Sequence, residues 1–356
     1  MKDECQQPAI ETRSPTSSLI WRVVAASVCG TSHQKRSQPC QDDHFWHSRN
    51  DGVLIAAVAD GAGSASLGEV GAQIAVRTAV ERLEAVDFCS ISIESASQPQ
   101  TPAEDSSADP ISEDIPEGIP DAQPDVELPL PHAEEVAISI DSTDSDAAEE
   151  LAQTPPETPD VTPDATPDAE VSPIRLLLAD ALESARQAVE AQAQARQVPV
   201  RELASTLIVV VATPEWVAAG QVGDGAAVVC DRNGQIFPLT VPKSGEYINE
   251  TTFLISPNAR ASAQFHLWQG TAAQVAMFSD GLQLLALEMP AGTPHAPFFT
   301  PLFRFVAQEE LSDDGATEQL ENFLQSPRVT QRTDDDLTLL LATLKGDVDR
   351  AGSATS

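Results

Sequence analysis

The chain has 356 residues and a formal net charge of −35 at pH 7, with 55 acidic and 20 basic side chains. Nucleic acids and anionic membranes are bound through clusters of Lys and Arg, so this balance argues against both kinds of partner. The five cysteines include no Cys-x-x-Cys pair, which argues against a disulfide framework or a structural zinc site. Residues 1–18 contain no apolar signal segment, and no run approaches the roughly 20 apolar residues of a membrane span. We therefore expect a soluble, cytoplasmic protein.

The first folded part, residues 19–89, predicts strands followed by a helix. LIWRVVAASVCG, which begins at Leu19, is rich in β-branched residues and predicts a strand, and residues 30–43 read as a polar loop. An Asn-Asp-Gly turn at residues 50–52 separates HFWHS from VLIAAVA, which predicts a β-hairpin. From Leu67 the apolar period becomes helical. The predicted buried face of this helix comprises Leu67, Val70, Ile74, Ala75, Ala79, Val80 and Leu83.

Residues 90–173 differ from the rest of the chain in composition. They contain 22 Asp or Glu, 14 Pro and no Lys or Arg. Proline at this density blocks helix and strand, and the uncompensated charge repels itself, so the segment is expected to be a disordered insertion. It repeats Thr-Pro-Asp and reads either as an acidic linker or as an autoinhibitory or partner-binding arm with phosphorylatable Thr-Pro sites.

The second folded part, residues 174–344, begins with a helix and continues mainly as strands. Ser172 is a candidate N-cap and Pro173 suits the first turn of this helix. The segments LASTLIVVVAT, EWVAAGQVG, AAVVCDR, QIFPLT, AQFHLWQ, AQVAMFSD and LTLLLATL predict strands, with helices around 299–309 and 315–325. Hairpin-joined strands with helices in pairs indicate an α+β fold in which helices cover antiparallel sheets. Residues 1–18 and 345–356 are expected to be tails.

Several apolar strands of this fold end or begin at an Asp. Single Asp-Gly pairs are most often turns, but a set of carboxylates over one rim of a sheet would repel one another unless cations neutralise them. Mg²⁺ and Mn²⁺ prefer such oxygen ligands, and a pair of these ions can activate water for phosphoryl transfer. The acidic positions are Asp42 and Asp43, Asp60, Asp224, Asp280 and the run Asp334-Asp335-Asp336.

The motifs around these acids resemble, in order, those of the metal-dependent Ser/Thr protein phosphatases, the PPM or type 2C family. They are CQDD (40–43), VADGAG (58–63), ASTL (204–207), GDG (223–225), FSDG (278–281) and DDDLTLLLA (334–342). GEYINETTF (245–253) is similar to a bacterial subgroup of the family. The resemblance implies an α-β-β-α sandwich of two packed antiparallel sheets flanked by helix pairs, and a binuclear Mg²⁺ or Mn²⁺ centre that hydrolyses phosphoserine and phosphothreonine.

The resemblance also implies a ligand set. Asp60 would bridge both metal ions and Gly61 would add its carbonyl oxygen. Asp280 and Asp335 would complete the first metal site, with Asp336 as the alternative to Asp335, and Asp42 would serve the second. Asp224, together with Asp280, matches the position of a third, weaker metal ion.

Three positions depart from the family pattern. Gln41 stands where many members have Glu, and Ala62 stands where many members have a His that serves as a candidate general acid. The Arg that holds the substrate phosphate in the family is replaced by Ser37, with Arg36 and Lys35 adjacent and His33 nearby. Arg36 could bind the phosphate with bidentate geometry, or the segment could be a solvated basic loop.

Two functions are consistent with these observations. The first is a metal-dependent phosphatase, expected to be a monomer, that acts on phosphoproteins with Asp42, Asp60 and Arg36 as catalytic residues. The alternative is a catalytically weak, phosphatase-like module that recruits protein partners through the acidic insertion. The retention of an Asp in every core acidic motif favours the enzyme.

Deletion of residues 91–171 tests the interpretation of this segment as an insertion. Because the segment is expected to contribute nothing to the core, the shortened chain should keep its fold and its basal phosphatase activity, both within about twofold to threefold of the full chain. Circular dichroism, thermal unfolding and hydrolysis of a phosphopeptide measure this. An insoluble or unfolded deletion variant would contradict the interpretation.

Overall fold

Antiparallel strands form the centre of the structure, where the sequence predicts them. The computed structural model describes residues 19–91, 172–242, 251–308 and 312–346, and all of these belong to one compact unit. The strands are β1 (Ile20–Val28), β2 (Asp42–Ser48), β3 (Leu54–Asp60), β4 (Leu207–Ala212), β5 (Trp216–Val222), β6 (Ala226–Asp231), β7 (Ile236–Thr240), β8 (Gln264–Gln269), β9 (Ala272–Phe278), β10 (Leu287–Glu288), β11 (Thr293–Pro294) and β12 (Leu337–Lys345).

The strands form two five-stranded sheets, with the orders β1-β12-β9-β6-β7 and β2-β3-β4-β5-β8. Neighbouring strands in both sheets are antiparallel, and β10 pairs with β11 in a separate ribbon. The predicted hairpin joins β2 to β3, and its Gly52 has φ of +82°, a conformation that favours glycine. Pro238 interrupts β7, which is an edge strand and needs fewer backbone donors.

The described residues also form eight α-helices. These helices are α1 (Thr31–Arg36), α2 (Gly68–Glu84), α3 (Pro173–Arg196), α4 (Ala259–Ser262), α5 (Gln283–Ala286), α6 (Ala296–Val306), α7 (Asp313–Leu324) and α8 (Pro327–Thr330). The predicted apolar face of α2 lies in the core, with Ala75, Ala79, Val80 and Leu83 buried.

Alternation along the strands places side chains in three apolar layers. Met277, Leu340 and Val210 belong to the layer in which side chains from both sheets meet. The opposite faces of β3, β4 and β5 pack against α2 and α3, and those of β1, β9 and β12 pack against α6 and α7. This arrangement confirms the predicted α-β-β-α sandwich. Strands buried on both faces, such as β3 and β4, read as continuous apolar runs for this reason.

Several local predictions need correction. Residues 31–36, predicted as loop, form α1, a six-residue helix whose side chains show no apolar stripe that would reveal it. The helices predicted around 299–309 and 315–325 begin at Ala296 and Asp313. Ser172 occupies the N-cap of α3, but its side chain makes no capping hydrogen bond, whereas Pro173 lies in the first turn as predicted.

Of the predicted insertion at 90–173, residues 92–171 lie outside the described residues, as do the predicted tail at 1–18 and residues 347–356 of the predicted tail at 345–356. The interpretation of the insertion as a linker or partner-binding arm stays a prediction. Within the described ranges, none of the helices combines the length and the apolar character needed to span a bilayer.

Substitution of Gly71 tests the packing of α2 against the short 3-10 helix that ends at Leu203. Ala normally stabilises a helix by about 1 kcal/mol relative to Gly, but a Cβ on Gly71 would lie 2.1 Å from the carbonyl oxygen of Leu203. Because this neighbour is backbone and cannot rotate away, we expect Gly71→Ala to lower the free energy of unfolding by about 1–3 kcal/mol.

Chemical denaturation measures this change. Gln73→Ala, at an exposed position of the same helix, is the control and should be neutral or slightly stabilising. A stabilising effect of Gly71→Ala would show that α2 and Leu203 are not packed as described.

Candidate functional site

Strand ends from both sheets bring the predicted carboxylates to one end of the sandwich. Asp42 begins β2 and lies directly opposite Asp60, the last residue of β3. Asp280 follows β9, and Asp335 precedes the neighbouring strand β12. Asp224 lies in the turn by which the chain passes from β5 in one sheet to β6 in the other. All five residues therefore reach the same edge although they are distant in sequence.

Three of these carboxylates form a compact group. Asp60, Asp224 and Asp280 each offer a carboxylate oxygen, and these oxygens lie within 4.8 Å of one another. Two further carboxylates act on the group electrostatically, since the charges of Asp42 and Asp335 both raise the pKa of Asp60 and of Asp280. The structure thus brings together all five predicted Asp residues, and these five form the acidic cluster.

Three carboxyl groups of the acidic cluster, those of Asp42, Asp60 and Asp280, resist ionisation. Burial raises the pKa of Asp60 well above its usual range, and the charge of Asp42 adds to the rise. Burial likewise raises the pKa of Asp42 to about 7, although the polar side chains of Ser279 and Thr338 offset part of the effect. The pKa of Asp280 is also raised to about 7, by burial and by neighbouring carboxylates. Like charges in a poorly hydrated site cause these shifts.

The oxygen atoms of the acidic cluster fit divalent cations. Both carboxylate oxygens of Asp42 and Oδ1 of Asp224 are buried without a hydrogen-bond partner. A buried carboxylate without a donor is costly, and a bound cation would remove the cost. Carboxylate oxygens are the ligands that Mg²⁺ and Mn²⁺ prefer. The residues present are therefore suited to these ions.

Thr206 holds the backbone of Asp60 on both sides. Its hydroxyl accepts from the Asp60 amide at 3.0 Å, and its own amide donates to the Asp60 carbonyl at 2.8 Å. These two hydrogen bonds therefore hold the backbone at the end of β3 against the residue that precedes β4. Thr206 belongs to the ASTL motif, so the sequence contained the signal, but its role as a support for Asp60 was not predicted.

Gly61 is required by close approach of the backbone. A Cβ at this position would lie 2.5 Å from the carbonyl carbon of Gly68 and 2.8 Å from the carbonyl oxygen of Gln41. The Gly61 amide donates to that Gln41 oxygen at 3.0 Å. Packing alone therefore requires glycine at this position, whether or not the Gly61 carbonyl binds a metal ion.

Three polar side chains hold the turn that contains Asp224. Gln221 donates from Nε2 to the carbonyl oxygens of Gly223 and Gly225, at 3.1 and 2.7 Å. Gln283 donates to the Asp224 carbonyl and Thr251 donates to Asp224 Oδ2, each at 2.5 Å. Sequence reasoning missed all three. A Gln within an otherwise apolar strand was the signal for Gln221, whereas Gln283 and Thr251 are remote in sequence and gave none.

Adjacent residues Asp335 and Asp336 lie in different environments. Asp336 is buried and accepts from the amides of Gly30 and Gln41 and from His33 Nδ1, at 2.6–2.7 Å. Asp335 is exposed and accepts from the Asp336 amide at 2.9 Å. Although the residue as a whole is exposed, its carboxyl group is partly shielded from water, and this raises the pKa of Asp335. Asp336 is thus engaged by hydrogen bonds, which favours Asp335 as the metal ligand.

Gln41, Ala62 and Arg36, the residues at or near the departures from the expected pattern, lie in three different environments. Gln41 is 2% exposed and donates to the Ala65 carbonyl at 2.9 Å. Ala62 is buried in a small apolar cluster with Ala65 and Ala204. Arg36 is exposed at the end of α1, where Nε donates to the Ser32 carbonyl at 3.2 Å. Its assignment to the substrate phosphate stays a prediction.

Comparison with known proteins agrees with this arrangement. A family model described as protein phosphatase 2C matches residues 29–117 and 145–325. Serine/threonine-protein phosphatase 3 of Escherichia coli (strain K12) is 31% identical over 331 residues, which cover 91% of this chain and 98% of that protein.

Solved structures resemble the chain at lower identity. A substitution variant of a bacterial serine phosphatase has 13% identity and a TM-score of 0.50, with 91% of this chain and 98% of that chain covered. The catalytic domain of the serine threonine protein phosphatase PstP, in complex with two manganese ions, has 12% identity and a TM-score of 0.45, with 92% and 99% covered. The first of these supports the fold.

The raised pKa values predict how the stability of the metal-free protein depends on pH. A carboxyl group ionises near pH 4 when unfolded, whereas Asp42 and Asp280 ionise near 7 in the folded chain. The folded state therefore binds more protons between these values, and its stability should fall as the pH rises from about 4 to about 7. Thermal unfolding in excess chelator measures this, since 1 kcal/mol shifts Tm by about 2–4 °C in a domain of this size.

Asp42→Asn should make this pH dependence shallower because it removes one of the buried charges. Asp43→Asn, the next residue on β2 and on its opposite face, is the control and should leave the pH dependence unchanged. Equal slopes for the wild type and Asp42→Asn would contradict the described burial of Asp42.

Proposed function

We propose that this chain hydrolyses phosphoproteins with two Mg²⁺ or Mn²⁺ ions bound by the acidic cluster. The chain belongs to the protein phosphatase 2C family and is a serine/threonine protein phosphatase. The observation that carries the proposal is the convergence of buried carboxylates on one another, with oxygens of Asp42 and Asp224 left without partners. Bound cations would remove the cost of burying these charges together at neutral pH.

In the proposed ligand arrangement, Asp60 would contribute to both ion sites, as the resemblance to the family implies. Asp280 and Asp335 would hold one ion, together with the Gly61 carbonyl. Asp42, opposite Asp60 in the sheet, would serve the second ion. Asp224 and Asp280 would hold a third, weaker ion, and the Thr251 hydroxyl would orient Asp224 there.

The proposed reaction is direct transfer of the phosphoryl group to water, without a phosphoenzyme. Bound divalent ions would lower the pKa of a water molecule and neutralise charge on the phosphoryl oxygens. The protein supplies rigidity: Thr206, Gln221 and Gln283 hold the backbone of Asp60 and of the Asp224 turn, so little reorganisation is needed during the reaction. Arg36, at the end of α1, would bind the phosphate of the substrate.

We further propose that the enzyme is a cytoplasmic monomer whose substrates are phosphoserine and phosphothreonine proteins. Residues 19–89 and 174–344 would form one phosphatase domain, with residues 90–173 as an insertion that could contact a protein partner. The net charge of −35 supports the expectation that nucleic acids and anionic membranes are not partners.

Replacement of Asp60 tests the function. Purified protein with Mn²⁺ should hydrolyse a phosphothreonine peptide and p-nitrophenyl phosphate, and excess chelator should abolish both activities. Asp60→Asn removes the shared charge, so kcat should fall by at least about 100-fold, and calorimetry should show weaker Mn²⁺ binding. Asp51→Asn, in the turn at the opposite end of β3, is the control and should keep full activity.

Full activity of Asp60→Asn, or of the wild type in excess chelator, would contradict the two-metal proposal. A wild-type protein that binds phosphopeptide but neither hydrolyses it nor binds Mn²⁺ would favour the alternative function, a phosphatase-like binding module.

A further inference from the structure

A buried histidine–aspartate pair lies beside the acidic cluster and has no role in the function proposed above. His33 Nδ1 and Asp336 Oδ2 are 2.7 Å apart, and the two residues are 3% and 2% exposed. Burial of two ionisable groups is costly unless they are paired and hydrogen-bonded. Because the pair lies next to the acidic cluster, where both residues act on the charge of Asp335, it is a candidate for a role in the reaction.

Hydrogen bonds determine which ring nitrogen of His33 is available. Asp336 also accepts from the Gly30 amide at Oδ1 and from the Gln41 amide at Oδ2, so its position is held by the backbone of two segments. Because an ionised carboxylate only accepts, Nδ1 of His33 carries the proton that Asp336 receives. This contact fixes the plane and direction of the ring and leaves Nε2 as the nitrogen that can act on another molecule.

The Nε2 atom lies beside Gly63, in the loop that follows Asp60. It is 4.0 Å from the position that a Cβ of Gly63 would take, and apart from Gly63 and its two chain neighbours no described atom is that close to this position. Gly63 follows the shared ligand Asp60 by three residues, and the charge of His33 acts on Asp335. The chain of hydrogen bonds from Asp336 through Gln41 to the Gly61 amide ties the ring to the end of β3. His33 thus approaches the site from the side of the VADGAG loop.

Within the described residues, the surroundings of Ala62 are apolar. Ala62 packs with Ala65 and Ala204, and Phe253 and Ile255 lie against this group. The oxygen of serine or threonine is a poor leaving group unless it receives a proton as its bond to phosphorus breaks. A histidine with a fixed ring is a good donor near neutral pH, and general acids of this kind contribute about 10²–10⁴-fold to the rate.

We propose that His33 is the general acid of this phosphatase and that Asp336 is its positioning residue, an inference that rests on the function proposed above. The bond between phosphorus and the serine or threonine oxygen breaks as water forms a new bond to phosphorus. His33 Nε2 gives its proton to the departing oxygen, and the proton released by the attacking water restores the imidazolium. Atoms and charges balance with water as the only co-substrate. His33 takes the role for which Ala62 has no side chain.

His33→Asn tests the proposal with two substrates. The Asn amide can keep a donor near Asp336 but removes Nε2, so the fold should be retained. The serine or threonine oxygen needs a proton, whereas p-nitrophenolate leaves readily without one. We therefore expect kcat for a phosphothreonine peptide to fall by about 100-fold or more, and kcat for p-nitrophenyl phosphate to change by less than about threefold.

Lys35→Ala, at an exposed position of the same helix, is the matched control and should leave both rates unchanged. Calorimetric Mn²⁺ affinity of His33→Asn should equal that of the wild type, because the acidic cluster is intact. An equal loss of both activities would assign His33 to phosphate binding or structure, and no loss would exclude it from the reaction; either result overturns the proposal.

A measurement on the wild type covers the case in which His33→Asn does not fold. With a series of aryl phosphates, kcat should depend only weakly on the basicity of the leaving oxygen, because that oxygen is protonated as it departs. A steep dependence would overturn the proposal. Manganese-dependent activity of the wild type on both substrates is measured first, so a failure of the proposed function is recognised separately from a failure of His33 as the acid.

Discussion

The mutual repulsion of carboxylates at one end of the sandwich is the constraint on which the site depends. Asp42, Asp60 and Asp280 are held close enough for burial and neighbouring charge to raise their pKa values. A flexible chain would separate such groups. The acidic cluster persists because its residues are attached to the ends of strands in two packed sheets, and because Thr206 and Gln221 bond the backbone beside them.

Two adjacent residues show how environment assigns different roles to the same side chain. Asp336 faces inward, where it receives two backbone amides and the ring of His33. Asp335 is exposed and accepts only from the Asp336 amide among the hydrogen bonds of the described residues, and its charge acts on Asp60 and Asp280. Since alternate residues near a strand point to opposite sides, neighbouring positions can supply one ligand and one structural acceptor. The hydrogen bonds of Asp336 also join the start of α1, the CQDD motif and the chain just before β12.

Much of the fold could be predicted because its elements carry strong local signals. The strands are apolar and β-branched, the turn at residues 50–52 has hairpin chemistry, and the two long helices α2 and α3 repeat apolar residues with the helical period. Helix α1 could not be predicted in this way, because it is short, polar and stabilised by contacts such as that of His33 with Asp336. Its hydrogen-bonding partner lies more than 300 residues away in the chain.

The acidic strand ends Asp42, Asp60, Asp224, Asp280 and Asp335 were visible in the sequence by themselves, because a charged residue at the end of an apolar run is a local pattern. Their convergence, and the choice between Asp335 and Asp336, were decided only by the tertiary structure. The tertiary structure also decided that Thr206 and Thr251 support the site and where His33 lies, since each depends on hydrogen bonds between distant segments. Local sequence determines which strands form and where they end, whereas packing of the two sheets determines which of those ends meet.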